Sequence, residues 1–442
     1  MKPTGLIVAS VILLVLAGGV YWAKRHPSTT TSTDTSTPPA PKLADIPANQ
    51  VTGVDITKKD GSKLDLQQQN GKWVITAPAQ YAADQDSVSS MLSALSPLNA
   101  DSVAEDKPAN VAPFGLDAPS LTVAVHEKNG KNDQIQIGND VPAGSLVYAR
   151  YGSDPKVYAL SNSVKTSFDK SVNDLRDKRL LTFDSTKLTR VELASSKGDV
   201  EFGKNNQGDW TILKPQPYRA DNFQVEDLVR KLGDAKMDLS STAPDPSKSE
   251  SAFASGKQIA TAKTTDASGT QTVTVRKNKD DYYATSSVVK GAYKITSDLG
   301  QAVDKGPDDF RNKKIFDFGF NDPNKIEVQQ GSDDKTYMRS GTDWKRDGKT
   351  MDPGNVQSFI DKLRDLSATK FDAAGFTTPA ATITVISNDN KRTEKVDFAK
   401  VADGYLARRE NEPTLYRLDA KAVNDTLEAS KGIKPAASSS KK

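Results

Sequence analysis

The sequence predicts an α+β fold: three tandem repeats of an antiparallel sheet packed with one or two helices, preceded by one transmembrane helix. Three observations predict it. A tryptophan phrase recurs as "GKWVITAP" at 71–78, "GDWTILKP" at 208–215 and "TDWKRDG" at 342–348. Alternating apolar segments precede each phrase and a helical pattern follows it. A charge-free apolar run stands at the N-terminus.

The chain has 442 residues, more than one compact core accommodates. Charged residues make up 26 % and hydrophobic residues 36 %, which suits a well-solvated body rather than a membrane bundle. Net charge is +3 and gives no electrostatic case for nucleic acid, which calls for a concentrated basic face. Cysteine is absent, which excludes disulfides, thiolate nucleophiles and cysteine-based zinc sites.

The run "GLIVASVILLVLAGGVYWA", 5–23, is expected to span a membrane as an uncleaved anchor. Tyr21 and Trp22 stand where an aromatic interface belt belongs, and Lys24 and Arg25 follow. A cleaved signal peptide, with Val15 and Ala17 before the cut, is the alternative. Charge flanking the run is nearly balanced and leaves orientation open. The anchor is taken as residues 1–26 and a Ser/Thr/Pro-rich linker as 27–43, an extended spacer that cannot form a core. A spacer between one span and a large polar body suggests a body on the extracytoplasmic side of the inner membrane.

The repeats take their register from Trp73, Trp210 and Trp344, which are 137 and 134 residues apart. Before each lies a two-run hairpin pattern, at 51–68, 188–204 and 324–340. After each comes a helix opened by an aspartate: Asp84, then Asp221, then Asp352 with Pro353 at the first turn. Val88, Met91, Leu92 and Leu95 share one helix face; so do Val225, Leu228, Val229 and Leu232, and Val356, Phe359, Ile360 and Leu363. Further strands follow at 120–160, 270–295 and 381–418. In each, a tyrosine (Tyr158, Tyr293, Tyr416) falls nine residues after an alanine (Ala149, Ala284, Ala407), so each pair belongs to one hairpin. Helical patterns at 162–178 and 418–432 close the first and third units. The units are bounded at 44–180, 181–315 and 316–434, with a disordered tail at 435–442. The tryptophans are expected to pack between sheet and helix rather than to stack on a ligand.

"FGLDAP" at 114–119, "RDKRLLTFD" at 176–184 and the W-x-I-x-x-P … AD phrases resemble a bacterial family of domains of unknown function, DUF4340. The resemblance covers most of 45–320 and extends more weakly into the third unit, where "AAGFTTP" stands in place of the first motif. It implies a membrane-anchored envelope protein of the kind associated with ABC-type exporters of the gliding class. It implies no activity and no functional residues.

Chemistry is sparse in the sequence. His26 lies in the spacer, and His126, in "LTVAVHEK", is expected to be a partly exposed strand residue rather than a ligand. No G-x-S-x-G elbow or phosphate loop is present. The Ser-x-x-Lys matches at Ser287/Lys290 and Ser332/Lys335 lack their companion motifs. Asp280-Asp281, Asp308-Asp309 and Asp333-Asp334 fall in expected turns and read as solvated loops. The notable polar feature is a basic cluster at the unit junctions, Arg176, Lys178 and Arg179, echoed by Arg311, Lys313 and Lys314. A locally ion-paired junction is one reading of it; a contact to lipid phosphates or an acidic partner is the other. The sequence therefore points to a non-enzymatic envelope scaffold without cofactor or metal. Residues 5–23 would meet the membrane, and the body would bind a protein partner, neither nucleic acid nor nucleotide. A carbohydrate- or peptidoglycan-binding module is the alternative, and a carboxylate-dependent hydrolase comes third.

Overall fold

A computed structural model describes residues 40–142, 144–320 and 323–437. The apolar run at 5–23, His26, most of the spacer and the tail residues 438–442 lie outside the described residues. Among those described, no helix is long and apolar enough to cross a membrane. Four antiparallel sheets and a few helices make the fold α+β. The chain divides into two compact units, Met1–Asp177 and Lys178–Lys442.

The first unit holds a nine-stranded sheet and a two-stranded one. The large sheet is two four-stranded meanders joined through their first strands. Val51–Lys58, Lys63–Gln69, Lys72–Ala77 and Tyr81–Ala82 run one way from the seam; Leu121–Glu127, Asn132–Asp140, Leu146–Tyr151 and Val157–Ser161 run the other. Ser102–Glu105 adds a ninth strand outside Val157–Ser161. Period-two alternation turns Val54, Ile56, Val123 and Val125 to one face, where Val88, Met91 and Leu92 of the helix Gln85–Leu92 meet them. Trp73 is buried in that core, its backbone N–H donating to Gln85 Oε1 at 2.8 Å.

The second unit contains two more sheets of the same strand order, eight-stranded and nine-stranded. Their cores run from Leu180 to Phe310 and from Ile315 to Ile433 and include Trp210 and Trp344. Asp84, Asp221 and Asp352 each cap their helix, accepting from the backbone N–H three residues on. Tyr158, Tyr293 and Tyr416 stand directly across the ladder from Ala149, Ala284 and Ala407. The sheets are thus repeat-like in order, caps and core registers.

Three features differ from the expected outline. Lys42–Ala44, across the expected boundary between linker and first unit, is a strand paired with Leu98–Asn99. The backbone equivalents are the bridges Arg179↔Lys236 and Lys314↔Ser367. Each sheet is thus entered by a short strap laid against the segment after its helix. For the same reason Leu180 and Ile315, expected to close one repeat, sit fully buried in the next core. At the other end, Ala436 N donates to Thr350 O within the expected tail. The middle sheet lacks a ninth strand. Asp101, Asp238 and Thr369 each donate a backbone N–H to the last strand of their sheet, at Ala159, Lys294 and Arg417. Beyond that bond the first and third chains continue as strands, whereas Asp238 Oδ1 accepts from Ser240 N and turns the chain away. The helix Pro246–Ser255, capped by Asp245, follows this turn.

Candidate functional site

The densest polar arrangement lies in the second unit, where the second sheet hands over to the third. Phe310 belongs to the second core, edge-on to Phe202 with ring centroids 5.0 Å apart. Its carbonyl accepts from Asp221 N, and Asn312 N donates to Arg219 O. One residue later the strap changes partner: Ala368 N donates to Lys313 O, and Ile315 N to Leu366 O. One extended segment is therefore hydrogen-bonded into both sheets.

Two arginines fill the joint. The Arg311 guanidinium carbon lies 3.9 Å from the Tyr218 ring centroid and 3.6 Å from that of Phe371. It donates to Asp308 Oδ1 at 3.0 Å and Thr414 Oγ1 at 2.9 Å. An aromatic face on each side suits the weakly hydrated guanidinium. Arg219 Nη2 donates to Lys314 O at 2.6 Å and to the Tyr416 hydroxyl at 3.0 Å. Its other nitrogens lie 3.4 Å from Asp317 and 3.1 Å from Glu412. Tyr416 donates in turn to Glu412 Oε2 at 2.7 Å. Behind them Arg409 joins Glu412 (2.7 Å), Glu394 (3.1 Å) and the Ile315 carbonyl. Burial pushes the Glu412 carboxyl up, but Arg219, Arg409 and the Tyr416 hydroxyl outweigh it and hold the group below its ordinary range. Burial also opposes the Arg219 charge, and Tyr416, Glu412 and Asp317 reverse that, raising its pKa.

The expected cluster is distributed as follows. Arg311 is spent inside the joint, and Lys314 Nζ donates to the Arg364 carbonyl at 2.9 Å. Lys313 is exposed. In the first unit Arg176 is half-buried, its guanidinium carbon 4.2 Å from the Tyr81 ring. Lys178, half-buried, accepts from Met237 N through its carbonyl, and Arg179 is exposed beside Lys236. Sequence reading missed Tyr218, Arg219, Asp317, Glu394, Arg409, Glu412 and Tyr416. One signal was present: at one register the repeats read "YAAD" (81–84), "YRAD" (218–221) and "KTMD" (349–352). Arginine at a fold-equivalent position that elsewhere holds alanine or threonine marks a residue with a local task.

Two recesses lie in the same unit. One of about 360 Å³ opens beside the joint at Arg408, Arg409, Glu410 and Glu412. The other, about 580 Å³, gathers Asp238, Asp280, Asp281, Tyr282 and Lys294. Two of its carboxylates are engaged locally: Lys294 lies 2.8 Å from Asp281, and Asp238 holds Ser240 N. A Cβ on Gly300 would lie 2.2 Å from the Tyr282 ring, so that ring rests flat on helix backbone. In the other acid pairs, Asp308 meets Arg311, Asp309 accepts from Gly306 N and Asp333 meets Lys335. His126 lies in the strand Leu121–Glu127, hydrogen-bonded to Asp55 (2.8 Å) and Asn132 (2.7 Å). Among the described residues no three His, Asp or Glu side chains are grouped as metal ligands.

A family model described as a domain of unknown function, DUF4340, matches residues 73–252 and again 210–382. The two matches begin at Trp73 and Trp210, the same register of successive sheets. No curated protein and no solved structure matches the chain. "FGLDAP" has a local explanation: Ala112–Phe114 is one 3-10 turn, ended by Gly115 at φ 70°, and Phe114 meets Tyr148 edge-on at 5.0 Å.

Proposed function

The chain belongs to the DUF4340 family, and from that premise we propose that it is a non-enzymatic scaffold or binding protein of the cell envelope. Residues 5–23 anchor it in the inner membrane. Three tandem copies of one sheet-and-helix unit stand on the extracytoplasmic side and present surface to a transporter assembly of the ABC class. What supports this reading most is how the charged side chains of the second unit are used. Arg219, Arg311, Arg409, Glu394 and Glu412 hold one sheet domain to the next. Side chains fixed in this way stiffen a repeat array and are withdrawn from substrate chemistry. The exposed Lys313 remains at the surface for an acidic partner or lipid phosphates.

Crosslinking in intact membranes, followed by identification of what co-purifies, tests the proposal. A transporter subunit is the expected product. Recovery of no membrane protein, together with strong retention on cell-wall polymer, would replace it with the carbohydrate-binding reading. The 580 Å³ recess, which joins carboxylates and a tyrosine, is the observation that favours that second reading. It ranks below the first because Asp281 and Asp238 are engaged with Lys294 and Ser240 N and the Tyr282 ring lies against helix backbone.

A further inference from the structure

The third sheet shows what its entry end receives. Tyr416, with Glu412 four residues before it, takes the Arg219 guanidinium, and Phe371, across the ladder from Tyr416, lies against Arg311. The first sheet carries the same arrangement. Tyr158 occupies the Tyr416 register, opposite Ala149 as Tyr416 is opposite Ala407. Its hydroxyl donates to Asp154 Oδ2, again four residues earlier and again at 2.7 Å. Val103 takes the Phe371 place, paired with Tyr158 on the ninth strand. In the third sheet this end is filled by the sheet before it. In the first, Val103 is 37 % exposed, and the described partners of the Asp154 carboxylate come from its own hairpin: the Lys156 backbone N–H and the Tyr158 hydroxyl.

The fold does not require the carboxylate. In the second sheet Tyr293 donates to the Lys290 carbonyl, and Val289 stands four residues before it. A carboxylate at this position is thus an addition, and in the third sheet its partner is a guanidinium. The surrounding charge agrees: Asp101, Glu105 and Asp106 are all exposed on or beside the same edge strand. Lys156, which reaches Asp106 at 3.3 Å, stands at the position of Thr414, so the hydroxyl that receives the second arginine in the third sheet is replaced by a cation. This favours one guanidinium over two.

The geometry points to the open end of the first sheet as a socket for an arginine side chain of a partner protein, held by Asp154 and Tyr158 beside the apolar Val103. This rests on the scaffold reading and names the chemistry of its partner. A second copy of the chain docking by the same joint is disfavoured. The third sheet carries Thr350 and Pro435 at the registers of Arg219 and Arg311, so its far end supplies no arginine.

The test places a photoreactive benzoylphenylalanine at position 103 of the full chain in its native membranes. The expected crosslink maps to an arginine-bearing segment of another protein. Asp154→Arg is expected to lower its yield by about tenfold or more, and Asp154→Glu to retain it, as for a desolvated charge contact. Tyr158→Phe, which keeps the ring in the core, guards against misfolding of the reversal variant and is expected to lower the yield severalfold. A crosslink to residues 1–39 of the same chain, where Arg25 lies, overturns the proposal; so does one to a second copy, or one indifferent to Asp154→Arg. A partner captured from elsewhere on the body while position 103 stays silent overturns the socket alone. No partner from any position overturns the scaffold reading as well.

Discussion

A guanidinium withdrawn from water at a joint is stable only while its carboxylates stay with it. The Arg219 side chain is 20 % exposed, between the fully buried case and the surface case. Arg219→Ala would leave Glu412 with Arg409 and Asp317 with the more distant Arg392 as their remaining cations. The expected loss is roughly 2 kcal/mol, above the ~0–1 of a surface pair and below the ~3–5 of a fully buried one. Denaturant unfolding followed at the second unit measures it. The same group sets a pH response. The Glu412 pKa is depressed in the folded chain, so its contribution is present above the unfolded value, about 4.3, and is lost as pH falls through the folded value. Acid should therefore destabilise the second unit less steeply in Arg219→Ala than in the native chain. His126 has the opposite sign. Its hydrogen bond to Asp55, then that to Asn132, raises its pKa. Its contribution is present below about 6.5 and is lost as pH rises through the folded value. An imidazole titration by NMR should show a midpoint above 6.5 that falls in Asp55→Asn; an unchanged midpoint would contradict the contact.

At the scale of elements, local chemistry decides most outcomes. Each helix after a tryptophan strand starts at an aspartate whose carboxylate satisfies a free N–H. Asp221→Ala should cost about 1 kcal/mol, and Asp221→Ser or Asp221→Asn much less, by thermal unfolding. Gly115 combines a left-handed backbone with crowding: a Cβ there would lie 2.4 Å from Asn139 Oδ1. Gly115→Ala should lower the stability of the first unit by about 1–3 kcal/mol, whereas Gly130→Ala, with open space around it, should cost less. Hairpins, caps and helix faces were legible because period and turn residues encode them within a few positions. The ninth strands and the entry straps were not. They pair residues far apart in sequence, such as Lys42 with Asn99 or Phe371 with Tyr416, and their runs are too short to show a period. The Asp238 turn that removes the ninth strand from the middle sheet depends on a side-chain acceptor that Asp101, at the same register, does not use in this way.

For the second unit as a whole, the joint determines whether two cores act as one body. The strap 310–316 is hydrogen-bonded to both sheets, and Arg219 and Arg311 fill the space between them. In Arg219→Ala/Arg311→Ala the two cores should open separately. Hydrogen exchange under mild denaturant should then give distinct opening energies for 181–310 and 315–433, against a single one expected for the native chain. A single shared opening in the double variant would place the coupling in the strap backbone instead. The basic junction residues were legible as a cluster but not as a joint, since a sequence gives the charge and not the ring or carboxylate that meets it.

By itself the sequence determined the recurring sheet-and-helix pattern, its register on Trp73, Trp210 and Trp344, the Ala–Tyr pairs and the helix caps. All of these are periodic or local, and recurrence across three copies separates them from chance. Only the tertiary structure decided where each core begins, which sheet carries a ninth strand, and what Arg219 and Arg311 face. Those outcomes depend on contacts between residues tens to nearly two hundred positions apart, where burial and charge pairing act in space and leave no pattern along the chain.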